Sequence, residues 1–181
     1  MAHYSDEELL EMFHKGDNAN YSFNLIVRKY QQPLYWHIRR LVIVHEDTDD
    51  ILQDVFVKAW NALGKFRGDS GLYTWLYRIA TNEALSFLKK KKNRFFLPLV
   101  DVENYLNNRL EADPWMDPDA IEKKITQAIL SLPEKQRVVF NMRYFDEMKY
   151  EDMSKILDTS EGALKASYHH AVKKIEIKLK S

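Results

Sequence analysis

Apolar positions recur along this chain at helical spacing. After Tyr21, Ile26, Tyr30, Leu34, Ile38 and Val42 succeed one another at intervals of four, which lays a slowly drifting stripe along one helix. Pro33 interrupts the run and predicts a kink or a new helix start. Ahead of it, Ser5-Asp6-Glu7-Glu8 has the capping-box pattern, predicting a short helix to Lys15 that Gly16 ends. Asp47-Thr48-Asp49-Asp50 offers capping side chains and negative charge for the positive end of a helix dipole. A third helix is predicted from there through Ile51, Leu52, Val55, Phe56, Ala59, Trp60 and Leu63, ending at Gly64, with Trp60 mostly in the core. Phe66 to Gly71 reads as a tight loop. The next helix turns Leu72, Leu76, Ile79, Ala80 and Leu88 inward and runs out into Lys89–Lys92.

The pattern changes near Asn93. Residues 93–119 hold Pro98, Pro114 and Pro118, weak periodicity, and an acidic excess carried by Asp101, Glu103, Glu111, Asp113, Asp117 and Asp119. They read as a flexible linker with a helical turn near Val102 to Leu110. A second helical block follows. Ile121, Ile125, Ile129 and Leu132 form one stripe; Val138, Val139, Met142 and Tyr144 belong to a second helix; Met153, Ile156 and Leu157 belong to a third. The last helix starts at Ser160 and aligns Leu164, Tyr168, Val172, Ile175 and Leu179. The fold class predicted is all-α: two small helical domains, residues 1–92 and 120–181, joined by the linker 93–119.

Composition agrees. Five Gly and five Pro in 181 residues are few for a loop-rich protein, and 45% hydrophobic residues suffice for a core. No Cys is present, so disulfides and thiolate metal sites are excluded. The start of the chain lacks a basic segment followed by an apolar run, and no apolar stretch nears the ~18 residues of a membrane span. A cytoplasmic protein without membrane insertion is expected. Net charge is zero, yet the charges are segregated. Residues 43–54 carry Glu46, Asp47, Asp49, Asp50 and Asp54 without Lys or Arg, whereas 86–94 carry Lys89–Lys92 and Arg94 without an acid. Such sorting suits separate surfaces for partners of opposite sign.

Residues 149–180 read as a short helix, a four-residue turn and a longer helix, a helix-turn-helix pattern or an ordinary helical hairpin. In the former, the N-terminal residues of the second helix reach base edges in the major groove. Ser160, Glu161, Gly162 and Ala163 open that helix, and Lys165, Ala166, Ser167, His169, His170 and Lys173 lie off its apolar stripe. Lys165 and Lys173 can pair with phosphates.

Ser131-Leu132-Pro133-Glu134-Lys135-Gln136-Arg137 through Met142-Arg143-Tyr144 resembles the opening of sigma region 4, and Ser160 to Lys165 with His170 to Ile175 is similar to its recognition helix. Asp49 to Trp60 resembles region 2.2, and Thr74-Trp75-Leu76-Tyr77-Arg78-Ile79-Ala80-Thr81-Asn82 resembles regions 2.3 and 2.4. With no region 3 domain between them, the blocks resemble an extracytoplasmic-function sigma factor, which lends promoter recognition to bacterial RNA polymerase and is no enzyme.

The resemblance implies three surfaces. Region 2.2 docks on core RNA polymerase, here through Asp49, Asp50, Leu52, Gln53, Asp54 and Phe56. Regions 2.3 and 2.4 melt promoter DNA and hold the displaced strand of the −10 element, a task suited to stacking aromatics and cations: Phe66, Arg67, Tyr73, Trp75, Tyr77, Arg78, Asn82, Lys89 and Lys90. The loop from Lys65 to Gly71 is expected to pocket one extruded base. Region 4 reads the −35 element and rests on the polymerase flap through apolar surface around Leu132, Val139 and Phe140. The group is usually restrained by an anti-sigma factor. Family recognition helices often carry Thr at Ala163, Ser-Arg at Ala166-Ser167 and Arg at His170, so bidentate guanine contacts, worth roughly 1–3 kcal/mol each, are lost here. A stand-alone helix-turn-helix repressor or activator is the competing reading. A metal hydrolase built on His45, Glu46, Asp47, Asp49 and Asp50 is disfavoured, since these crowd one helix start without a spaced His pair. No catalytic residue, metal or cofactor is expected.

Overall fold

The computed structural model describes residues 4–16, 18–94, 108 and 120–180. Eight helices and no strand occur among them. They are α1 (Asp6–His14), α2 (Ala19–Val42), α3 (His45–Leu63), α4 (Leu72–Arg94), α5 (Ala120–Leu130), α6 (Glu134–Tyr144), α7 (Tyr150–Leu157) and α8 (Glu161–Lys180). Apart from Asn93, Arg94 and Asn108, the segment read as a linker lies outside the described residues, as does all but Asn108 of the helical turn expected near Val102 to Leu110.

The capping box forms as written. Ser5 Oγ accepts from the Glu8 amide at 3.2 Å while the Glu8 carboxylate accepts from the Ser5 amide at 2.7 Å. Gly16 takes φ +81° just after the helix, a conformation that favours glycine. The Ser22 hydroxyl donates to the Leu9 carbonyl, and Tyr30 donates to Asp6 at 2.6 Å, which straps α1 onto α2.

Two boundaries differ from the sequence reading. Pro33 starts no new helix; α2 runs through it. Proline removes one helical donor, but Ile26, Tyr30, Leu34 and Ile38 are all buried along that helix, and tertiary packing outweighs local propensity. The third helix begins at His45, ahead of the acidic run. The Val44 carbonyl accepts both the Thr48 amide at 3.0 Å and the Thr48 hydroxyl at 2.7 Å, so Thr48 lies inside the first turn rather than capping it. Ile43, buried at φ +69°, turns the chain between α2 and α3, an uncommon conformation for a β-branched residue.

Helices α2, α3 and α4 pack Ile26, Leu34, Ile38, Leu41, Val55, Ala59, Leu63, Leu72, Leu76 and Ala80 into one core. Helices α5, α6 and α8, with Leu132 of the α5–α6 turn, bury a smaller cluster of Ala128, Ile129, Leu132, Phe140, Ala171 and Ile175. The larger core also takes in Val138, Val139, Met142, Met148, Met153, Ile156 and Leu164, so the two blocks pack against each other. Trp60 is less buried than expected, at 39% exposure, because it caps the α1–α2–α3 junction with its ring against the edges of Phe13 and Phe23. Tyr144, expected inward, is exposed and stacks on Phe140 at 5.2 Å. Ile125, within its stripe, and Leu179, at the end of its own, are exposed as well.

Candidate functional site

Three surfaces carry the residues singled out by the sequence. On α3, Asp49, Asp50, Gln53 and Asp54 are exposed, and Leu52 and Phe56 are half-buried beside them. Phe56 is held from beneath by Phe23, ring edge to face at 6.4 Å. The outcome is an anionic face with an apolar margin.

The second surface opens where α3 ends. A cleft of about 350 Å³ is lined by Ala62, Lys65, Phe66, Arg67, Asp69, Ser70, Trp75 and Arg78. The loop between α3 and α4 turns sharply at Gly68, with φ +76°, and carries Phe66 onto Trp75, their rings 5.1 Å apart. Both aromatics are half-buried, so each keeps one flank in the core and offers the other to the cleft. Lys65, Arg67 and Arg78 put three cations at its walls, and Asp69 and Ser70 supply acceptors and a hydroxyl. Ala62 was not foreseen; it comes from a preceding helix, and only the packing of α3 brings it here.

Tyr73 and Tyr77 are not brought into this cleft. Their rings lie 4.4 Å apart, and Tyr77 is 2% exposed, packed on the His37 ring. Burial first, then the charge of Asp146, pushes the Tyr77 phenol far above its ordinary range. Tyr73 is raised chiefly by burial too. Asn82 and Lys89 line a separate hollow with Leu85, Ser86, Lys92 and Glu134, and Lys90 is exposed.

The third surface is α8. Asp158 takes the left-handed conformation at the end of α7, turning the chain, and Ser160 Oγ accepts from the Ala163 amide at 3.3 Å, capping α8. Leu164, Ala171 and Ile175 are buried. Ser160, Glu161, Gly162, Ala163, Lys165, Ala166, His169, His170 and Lys173 are exposed and Ser167 is half-buried. A Cβ on Gly162 would meet nothing within 4 Å, so the helix start is open to an approaching partner. Leu132, Val139 and Phe140, expected to offer apolar surface, are each at most 6% exposed. They form the core beneath α8, and the exposed apolar side chains nearby are Tyr144 and Phe145.

Comparison with known proteins places these surfaces in a family. The Sigma-70 region 2 model matches residues 26–94, and the Sigma-70, region 4 model matches residues 122–175. The RNA polymerase sigma-H factor of Pseudomonas aeruginosa is 34% identical, over 94% of this chain and 92% of its own. The ECF RNA polymerase sigma-E factor of Escherichia coli K12 is 32% identical, over 97% of this chain and 94% of its own. The chain belongs to the extracytoplasmic-function sigma factors of the sigma-70 family. The structure of CnrH in complex with the cytosolic domain of CnrY shares its fold, with a TM-score of 0.70 and 23% identity over 97% of each chain.

It follows that the protein is an alternative sigma factor that directs promoter recognition. The region 2 match spans α2 from Ile26 onward and the whole of α3 and α4, and so contains both the acidic face and the aromatic cleft. The region 4 match spans most of α5, all of α6 and α7, and most of α8. Among the described residues, this sigma factor has no helix long and apolar enough to cross a membrane.

Proposed function

We propose that the three surfaces divide the work of initiation among residues 1–92, 93–119 and 120–181. The α3 face of Asp49, Asp50, Leu52, Gln53, Asp54 and Phe56 docks on a basic face of core RNA polymerase, with apolar contact from its half-buried members. The α3–α4 cleft receives one base extruded from the −10 element. Base extrusion costs a few kcal/mol, and stacking on Phe66 and Trp75 together with phosphate pairing to Arg67 and Arg78 offsets it. Asn82, Lys89 and Lys90 follow the duplex upstream, and Tyr73 and Tyr77 support the cleft helix from behind. Helix α8 reads the −35 element through its first turn, with Lys165 and Lys173 on phosphates and His169 and His170 as polar contacts. The linker lies along the nucleic-acid channel of the polymerase, its acidic excess facing basic walls. The protein acts in the cytoplasm, catalyses nothing itself, and is restrained by an anti-sigma factor.

The observation that carries this reading is the segregation of charge within one domain: anionic on α3, cationic and aromatic around the cleft at its far end. Transcription by core polymerase on a library of random upstream sequences tests it. Addition of the chain is predicted to yield transcripts from a restricted set of templates that share two short elements. Duplex binding without polymerase, and no transcripts, would instead favour a stand-alone repressor.

A further inference from the structure

Opposite the buried line of Leu164, Ala171 and Ile175 on α8, Gly162, Ala166, His169 and Lys173 follow one another at helical spacing, with Ala163 and His170 at their flank. All six are exposed. Through Gly162, Ala163 and Ala166, this side of the first turns holds nothing larger than a methyl group. His169 lies about 10 Å along the axis from Gly162, at the 1.5 Å rise of an α-helix. The major groove is roughly 12 Å wide. A helix that seats its start on base edges therefore carries His169 and His170 to the rim of the groove, where the phosphates stand.

Neither imidazole is engaged within the chain. Their rings lie 6.1 Å apart, and among the described residues neither makes a hydrogen bond or an ion pair. The charges around them are positive or matched by other partners. On α8, Lys165 faces Glu161 at 3.9 Å and lies over the Tyr150 ring; Lys173 and Lys174 come next, and Glu176 stands about two turns beyond His169. On α7, Glu151 pairs with Lys155 at 2.8 Å, and Asp152 accepts from Thr74. Arg143 of α6 donates to the Met148 carbonyl, and α5 carries Glu122, Lys123 and Lys124. No acid of this set meets either ring, so the place of a counter-ion is left to a partner.

We infer that His169 and His170 take up protons as α8 meets the phosphates of the −35 element, so that promoter binding by this sigma factor strengthens as pH falls through neutrality. The inference rests on the proposed reading of α8 as the helix that meets the −35 element. An imidazole changes charge near neutral pH, and a neighbouring phosphate favours its charged form. The complex then holds more protons than its separate partners, and by linkage its affinity rises as pH falls. A Lys or Arg at these positions keeps its charge over the same range and lends no such response.

Equilibrium binding of the holoenzyme to a fluorescent promoter fragment, from about pH 8 to about pH 6 and at several salt concentrations, tests this. Wild-type affinity is predicted to rise roughly tenfold over that interval, and the plot of log affinity against log salt to steepen by about one to two. The polymerase titrates too, so the quantity read is the difference between the wild type and His169→Gln with His170→Gln, which is predicted to lose both changes. His169→Lys with His170→Lys is predicted to bind tightly already at about pH 8, with no further gain on acidification. Gln and Lys are better helix formers than His, and both positions are exposed, so neither pair unfolds α8. A glutamine pair that keeps the wild-type pH dependence would place the proton uptake elsewhere and overturn the inference. A wild type without pH dependence, beside a lysine pair that binds more tightly, would overturn it while leaving α8 on the −35 element. If neither pair alters binding at any pH, the reading of α8 falls as well.

Discussion

Trp75 shows how one side chain serves two ends. One flank packs on Phe66 and the core while the other lines the cleft between Lys65, Arg67 and Arg78. Base–aromatic stacking is worth roughly 1–3 kcal/mol per base, so Trp75→Ala is predicted to lower open-complex formation by roughly ten- to a hundredfold. Permanganate reactivity of promoter thymines measures that step. Association with polymerase should be unchanged; a selective loss of association would count against this role. At this scale the sequence misleads where an aromatic has two plausible partners. Trp60 follows the core stripe of α3 yet caps a junction, and Tyr77 sits beside Trp75 in sequence yet faces the opposite side of α4. Period alone places a residue on a helix face and does not say what meets that face.

Among the elements, capping chemistry was the most legible feature. Ser5 with Glu8 forms the contact that the local sequence announces, since the partners lie three residues apart; Ser160, read only as the start of the last helix, also caps it through Ala163. The start of α3 was not legible, because the Val44 carbonyl that opens it is a backbone group. The last helix was legible in part: Leu164 and Ile175 of its expected stripe are buried, while Leu179 is exposed and Ala171, outside that stripe, is buried. Its exposed face lacks arginine, so α8 should draw much of its affinity from phosphates and less from base edges. Lys165→Ala and Lys173→Ala are each predicted to weaken promoter binding by the holoenzyme about equally across −35 sequences. Each should also flatten the plot of log affinity against log salt by about one. An unchanged slope, or a change confined to particular bases, would show that these lysines read sequence.

For the whole molecule, the two-block, all-helical plan follows from periodicity and the proline-rich break, whereas the joining of the blocks does not. The partners His37 and Asp146 are 109 residues apart, and Thr74 and Asp152 are 78 apart. No local pattern marks such pairs, and each member reads by itself as an ordinary polar surface residue. Val138, Met142 and Met153 likewise read as core of their own domain, yet they share a cluster with Leu34 and Leu76. The compact chain therefore keeps its acidic α3 face outward while region 4 rests on the other side of region 2. The most direct measurement is a titration of the fluorescently labelled sigma factor with purified core RNA polymerase. Saturable one-to-one association is predicted, weakened at least about tenfold when Asp49, Asp50 and Asp54 are changed together to Lys. No association at all, or association indifferent to that reversal, would contradict it.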